Sequence, residues 1–193
     1  MAGERMNETT QRLNVHLAAA QPSATYRMID RVAERRASGA PVISLNAGEP
    51  DFDTPAHVRQ AAITAINAGH TRYTQVAGLR ALREAIAEKF RNENGIDTRW
   101  QDTLVCSGGK QVIYNALAAT LNADDEVIVP APYWVSYPEM VQLCGAKAVV
   151  VACSEASGFK LTPQTLSDAI TPRTRWLILN SPSNPTGAVY SAD

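Results

Sequence analysis

Residues 125–153 read "DEVIVPAPYWVSYPEMVQLCGAKAVVVAC". A short apolar run, Val127–Val129, enters a proline and aromatic loop. A helix-length segment follows, then Gly145, then a second apolar run, Ala148–Val151. Parallel strands cannot be joined by a tight hairpin and need a crossover of about a dozen residues or more, usually helical. Strands that read as continuous apolar runs, rather than alternating ones, are covered on both faces. The stretch therefore predicts strand, loop, helix and parallel strand.

The same rhythm extends outward. "TLVCSGGKQVIYNALAATLN" (103–122) reads as strand, glycine turn and helix. "TPQTLSDAI" (162–170) reads as a short helix with Thr162 as its cap and Pro163 in its first turn. "TRWLILNSPSNPTG" (174–187) reads as a strand and a loop. Upstream, helices are expected over about 23–38, 55–67 and 79–92. Val58, Ala62 and Ile66 share one face of the second, and Leu79, Leu82, Ile86 and Phe90 one face of the third. "PVISLNAGEPDF" (41–52) reads as a short buried strand entering a turn, and the first twenty or so residues as a loose arm. Strands alternating with helices make the fold class α/β, with a mostly parallel sheet.

Bulk properties narrow the function. The chain has 193 residues, 45% hydrophobic, with 18 basic and 19 acidic side chains for a net charge of −1. That balance argues against a nucleic-acid footprint or a membrane-surface patch. No apolar stretch is long enough to span a bilayer, and the N-terminus lacks a signal-peptide pattern. The 3 cysteines, Cys106, Cys144 and Cys153, are scattered and fit a reducing, cytoplasmic setting rather than a disulfide framework. No Cys/His pair has metal-ligand spacing.

In open α/β sheets ligands gather at the carboxyl ends of strands. "CSGGKQ" (106–111) sits at such an end and opens a helix, where glycines can aim N–H groups at an anion. It reads either as a phosphate cradle over Ser107–Lys110 or as a plain glycine turn. It is not a P-loop, since the upstream glycine is missing and Gln111 replaces the Ser/Thr. "PAPYWVSYP" (130–138) holds Tyr133, Trp134 and Tyr137, which could stack on a flat ring, plug the core or meet a subunit. "SPSNPTG" (181–187) holds Asn184 between Pro182 and Pro185, more proline than one turn needs. In "NAGEPDF" (46–52), Gly48 suits a close backbone approach. Glu49, Asp51 and Asp53 read as a solvated acidic turn, with Asp53 or Thr54 capping the next helix.

Taken in order, "AGEPDFDTP", Tyr73-Thr74 with Gly78, "SGGKQ", "PYWVSYP" and "NSPSNPTG" resemble the pyridoxal-phosphate aminotransferases of fold type I, class I, aspartate aminotransferase branch. The resemblance runs from about Gln21 to Tyr190. It implies a three-layer, mostly parallel large domain, incomplete here, with an arm (1–21), part of a small domain (22–54) and the first part of the cofactor domain (55–193). It implies pyridoxal 5'-phosphate as cofactor, with Gly108, Gly109 and Lys110 at its phosphate, Trp134 on its ring and Asn184 at the ring oxygen and the substrate carboxylate. Gly48 resembles the glycine whose backbone meets the substrate carboxylate. Ser23, Thr25 and Lys110 stand where residues bind the substrate's side-chain carboxylate. Tyr73 resembles the tyrosine that reaches the cofactor phosphate of a neighbouring subunit, which implies a homodimer. Where some relatives carry a basic residue linked to prephenate use, this chain has Gln21.

The same resemblance places the lysine that forms the Schiff base, an acidic partner for the pyridinium and a carboxylate-clamping arginine after the NPTG loop. None of Lys89, Lys110, Lys147 and Lys160 lies in that lysine's setting. The expected reading is an N-terminal fragment, with no catalytic lysine and no turnover alone, of an enzyme moving an amino group between an L-amino acid and a 2-oxo acid. Two other readings are a different enzyme of the same fold, such as a carbon–sulfur lyase, and a non-catalytic binding or dimerisation module.

Overall fold

In the computed structural model, residues 14–19, 24–45, 48 and 50–191 are described. The elements are α1 (Val15–Ala19), α2 (Ala24–Ala37), α3 (Ala56–Asn67), α4 (Arg80–Asn94), α5 (Gly109–Thr120), β1 (Glu126–Ala131), α6 (Ser136–Leu143), β2 (Lys147–Ala152), α7 (Pro163–Ala169) and β3 (Thr174–Leu177). The chain divides into two compact units, one of residues 1–46 and 113–193, the other of residues 47–112.

The first unit carries the sheet. Its order is β2-β1-β3, and both pairings are parallel; the β1–β2 pairing is the one the 125–153 stretch predicts. Central β1 pairs Val127 with Ala148 and Val129 with Val150 along β2, and Val127 with Trp176 in β3. Strand alternation turns Val127 and Val129 to one face. There they join Leu117, Leu121, Tyr137, Met140 and Val141 in the core. Ile128, on the opposite face, is also buried. Five consecutive apolar residues at 127–131 thus fill a strand with two covered faces.

Charges pin the amino ends of the three strands. Glu126, buried at the start of β1, accepts hydrogen bonds from Thr171 Oγ1 at 2.6 Å and Arg173 Nη2 at 3.0 Å. Lys147 Nζ, at the start of β2, lies 3.7 Å away. These bonds hold the Glu126 carboxyl below its ordinary range, the Thr171 hydroxyl contributing most. Thr162 caps α7 as expected: its Oγ1 accepts from Thr165 N–H at 3.2 Å, while Thr165 Oγ1 accepts from Thr162 N–H at 3.1 Å. Among the described residues of the expected arm, α1 packs on α6 and sets His16 against Gly145.

In the second unit, α4 ends at Gly95 in the left-handed conformation. The Trp100–Asp102 turn packs on α4. The buried positions of α4 are Arg83 and Ala87, while Leu82 stays 46% exposed; the face that meets the Trp100–Asp102 turn is rotated from the leucine stripe the sequence suggested. Helix α3 buries no residue among those described.

Two expected strands do not form. Residues 41–45 and 103–106 are irregular, and Ile43 and Leu45 stand exposed. Apolar content alone does not make a strand; a ladder partner must take its N–H and C=O groups, and neither segment has one among the described residues. The expected cap at Asp53 or Thr54 is also absent. Pro55 holds the cap position of α3 without a side-chain bond, and Asp53 faces Arg59 at 3.5 Å.

Candidate functional site

β1 and β3 run parallel side by side, so their carboxyl ends release neighbouring loops. The β1 loop carries Pro132, Tyr133 and Trp134; the β3 loop carries Asn180 through Gly187. Pro132, Pro182 and Pro185 follow cis peptide bonds. The two loops share a pocket lined by Pro132, Tyr133, Phe159, Asn180, Asn184 and Tyr190, among others.

Trp134 is half-buried and meets Tyr137 edge to face, with ring centroids 5.5 Å apart. Tyr137 is buried in the core, and desolvation pushes its hydroxyl up. The aromatic trio is therefore divided: Tyr137 plugs the core, and Tyr133 and Trp134 rest against it with part of each ring outside.

Asn184 is exposed at the tip of a loop tied by its own chain. Its backbone N–H donates to Asn180 Oδ1 at 2.9 Å. Ser183 N–H donates to Ala188 C=O at 2.9 Å, and Gly187 N–H to Ser183 C=O at 2.7 Å. Tyr190 N–H donates to Ser181 Oγ at 3.1 Å, and Tyr190 OH accepts from Leu161 N–H at 2.7 Å. The Asn184 side-chain amide makes no hydrogen bond among the described residues. Sequence reasoning singled out Asn184 and missed its supports, Asn180 and Tyr190. The spacing of Asn180 four residues before Asn184, across a proline, was the available signal.

In the second unit, Gly108 and Gly109 open α5 and are exposed. Gly108 has φ +93°, and a Cβ placed at either glycine would have no atom within 4 Å. The side chain of Gln111 accepts from Ser107 N–H. The first intrahelical bond runs from Val112 N–H to Gly108 C=O at 3.3 Å, so the amides of Gly109 and Gln111 have no helical acceptor. An open, glycine-lined turn at the start of a 12-residue helix suits an anion. Gly48 likewise has no atom within 4 Å of a Cβ, and Tyr73 is fully exposed. Ser23 and Gln21 lie outside the described residues. Thr25 falls in the first turn of α2, its side chain also outside them. No cluster of three metal-ligating side chains, and no helix long and apolar enough to cross a membrane, occurs among the described residues.

The donor types fit a phosphorylated pyridine ring. A dianion suits the α5 terminus, a flat ring suits an indole face, and a ring oxygen suits a carboxamide N–H. The structure brings Asn184 to one pocket with Tyr133 and Tyr137, and Trp134 is not among the residues that line it.

Comparison with known proteins agrees with these features. A family model for aminotransferase class I and II matches residues 40–193. A probable aspartate/prephenate aminotransferase of Rhizobium leguminosarum bv. phaseoli is 55% identical over 177 residues, 92% of this chain and 44% of that protein. An aspartate/prephenate aminotransferase of Cereibacter sphaeroides is 56% identical over 175 residues, 91% of this chain and 44% of that protein. The crystal structure of the aspartate aminotransferase from Rhizobium meliloti superposes with a TM-score of 0.90 at 49% identity, covering 94% of this chain and 45% of the other. The Thermus thermophilus aspartate aminotransferase with maleate gives 0.89 at 49% identity, covering 93% and 47%. The chain spans less than half the length of the relatives it matches. It belongs to the aminotransferase class I and II family, and its α/β architecture with a parallel sheet is that of the pyridoxal-phosphate aspartate aminotransferases.

Proposed function

We propose that this chain forms the N-terminal, phosphate- and ring-holding part of a pyridoxal-phosphate aminotransferase that takes the amino group of aspartate and passes it to 2-oxoglutarate. The observation that carries the reading is the superposition on an aspartate aminotransferase at a TM-score of 0.90 and 49% identity. Donor and acceptor would use one site in turn, a ping-pong order. The working form would be a cytoplasmic homodimer with shared sites, without nucleic-acid or membrane partners.

The chemistry supplied by bound pyridoxal phosphate is electron withdrawal from Cα and carriage of the amino group. This chain's residues hold and orient. The amides of Gly108 and Gly109, with Lys110, bind the phosphate at the α5 terminus. Trp134 covers the ring face and excludes water from it. The Asn184 amide donates to the ring oxygen and to the substrate carboxylate, and the Gly48 backbone meets that carboxylate from its own unit. Ser23, Thr25 and Lys110 recognise the second carboxylate of aspartate. Tyr73 reaches the phosphate held by the neighbouring subunit. The proton moved at Cα is assigned to a lysine outside this sequence; Lys89 lies 3.6 Å from Glu93, and Lys147 lies 3.7 Å from the buried Glu126.

The test is turnover with aspartate and 2-oxoglutarate, on the 193-residue chain and on the protein expressed from the full reading frame of its source. Glutamate formed by the longer protein and none by the chain is the expected result. Turnover by the chain alone refutes the division of labour, and pyruvate or sulfide release from cysteine-type substrates moves the assignment to a lyase. With Gln21 in the place of a basic residue, prephenate is expected to be a poor acceptor.

A further inference from the structure

We propose that Arg83 is a positioning residue for the phosphate-binding turn, holding the strand-like segment that feeds it. This rests on the cofactor reading above. Residues 103–106 lead directly into Ser107–Gly109 but pair with no neighbouring strand among the described residues. Their carbonyls need another donor. Arg83, buried on α4, supplies one, its Nε donating to Thr103 C=O at 2.9 Å, while its Nη2 donates to Gln101 C=O in the preceding turn at 3.0 Å.

The setting is built around that fork. The Arg83 guanidinium stacks on the Trp100 ring at 5.0 Å from its centroid. Thr103 Oγ1 donates to Trp100 C=O at 2.7 Å, which closes the turn beneath it. Arg83 has no carboxylate partner among the described residues, so its buried charge is satisfied by main-chain oxygens and an aromatic face. A buried guanidinium is costly unless its donors are used, and here the acceptors are Thr103, at the head of the segment that leads to Gly108, and Gln101 in the turn before it. A second tie, Val105 N–H to Ala77 C=O at 3.0 Å, fixes the segment's middle. Nearer the turn, Gly108 N–H donates to Cys106 C=O at 2.9 Å and the Gln111 side chain accepts from Ser107 N–H. Thr103, where Arg83 holds it, is the point from which the chain enters the turn that aims the Gly108 and Gly109 amides.

Arg80 offers an internal control. It stacks on the same ring at 4.8 Å but donates to Glu84 at 2.8 Å, not to the segment. The test is calorimetric titration of the chain with 4'-deoxypyridoxine 5'-phosphate and with unphosphorylated 4'-deoxypyridoxine, which cannot bond covalently to lysine. The ratio of the two affinities reads the phosphate turn alone. Arg83→Gln should lower that ratio about tenfold, the scale of one charge-assisted hydrogen bond. Arg83→Lys should lower it less, and Arg80→Gln should leave it unchanged. The affinity for the unphosphorylated ring should stay constant throughout. If Arg83→Gln fails to fold by circular dichroism, Arg83→Lys decides. A wild-type ratio in the folded Arg83 variants overturns the proposal, as does an equal fall in Arg80→Gln. A wild-type chain that does not prefer the phosphorylated ligand overturns the cofactor reading, and this inference with it.

Discussion

Gly78→Ala should be among the more damaging small substitutions in the second unit. Gly78 has φ +102°, and a Cβ there would fall 2.6 Å from Val105 Cγ2 and 2.7 Å from Val105 Cβ. Ordinary carbon contacts are about 3.5–4.0 Å, so the two backbones would have to part. They cannot do so freely, because Ala77 C=O accepts from Val105 N–H at 3.0 Å. Left-handed strain costs roughly 1–2 kcal/mol for a residue with a Cβ, and overpacking adds about 1–3 kcal/mol. The expected loss is about 2–5 kcal/mol. Gly95→Ala supplies the reference: φ is +67°, nothing lies within 4 Å, and only the strain of about 1–2 kcal/mol applies. Urea unfolding followed by far-UV circular dichroism measures both. Val105→Ala in the Gly78→Ala background should restore only part of the loss, because the Val105 Cβ stays in the way. Equal losses for the Gly78 and Gly95 variants would refute the steric argument.

Other substitutions test the frame around the site. Leu117→Ala, at a fully buried core position, should cost about 2–5 kcal/mol in the same unfolding experiment. Thr162→Ala removes one half of the capping box and should cost about 1 kcal/mol. The Glu126 carboxyl is depressed in the folded chain, so its stabilisation is whole above its ordinary value of about 4.3 and fades as pH falls through the folded value. Glu126→Gln should therefore lower the melting temperature at neutral pH and flatten the acid limb of the melting profile; an unchanged acid limb would show the clasp to be idle. Asn184→Ala should weaken binding of 4'-deoxypyridoxine itself, with or without phosphate, when followed by calorimetry. Loss confined to the phosphorylated ligand would contradict the role given to Asn184.

The legible parts of the fold were those whose signals are local. The run 127–131 is apolar without alternation, and it became a central parallel strand because both faces are covered. Thr162 and Pro163 announced a helix start, and the cap formed as read. The segments 41–45 and 103–106 carried similar apolar signals and stayed irregular, since a strand is a property of two segments and no partner pairs with them among the described residues. Arg83 was invisible for a related reason. An arginine beside a leucine stripe reads as surface until the Trp100 ring and two carbonyls are known to lie against it. Motif order singled out Gly108, Trp134 and Asn184 as candidates; Asn180, four residues before Asn184, was within reach of a spacing argument, whereas Tyr190 ties in Leu161 across 29 residues, which no spacing rule contains.

The central claim, that this chain holds the cofactor's phosphate and ring without supplying the catalytic lysine, is tested most directly by one trapping experiment. The chain is mixed with equimolar pyridoxal phosphate, reduced with borohydride and mapped by peptide mass, alongside calorimetry of the unreduced mixture. We expect saturable binding with no stoichiometric label at Lys89, Lys110, Lys147 or Lys160. A single stoichiometric label on any one of these four lysines, or no binding at all, would contradict it.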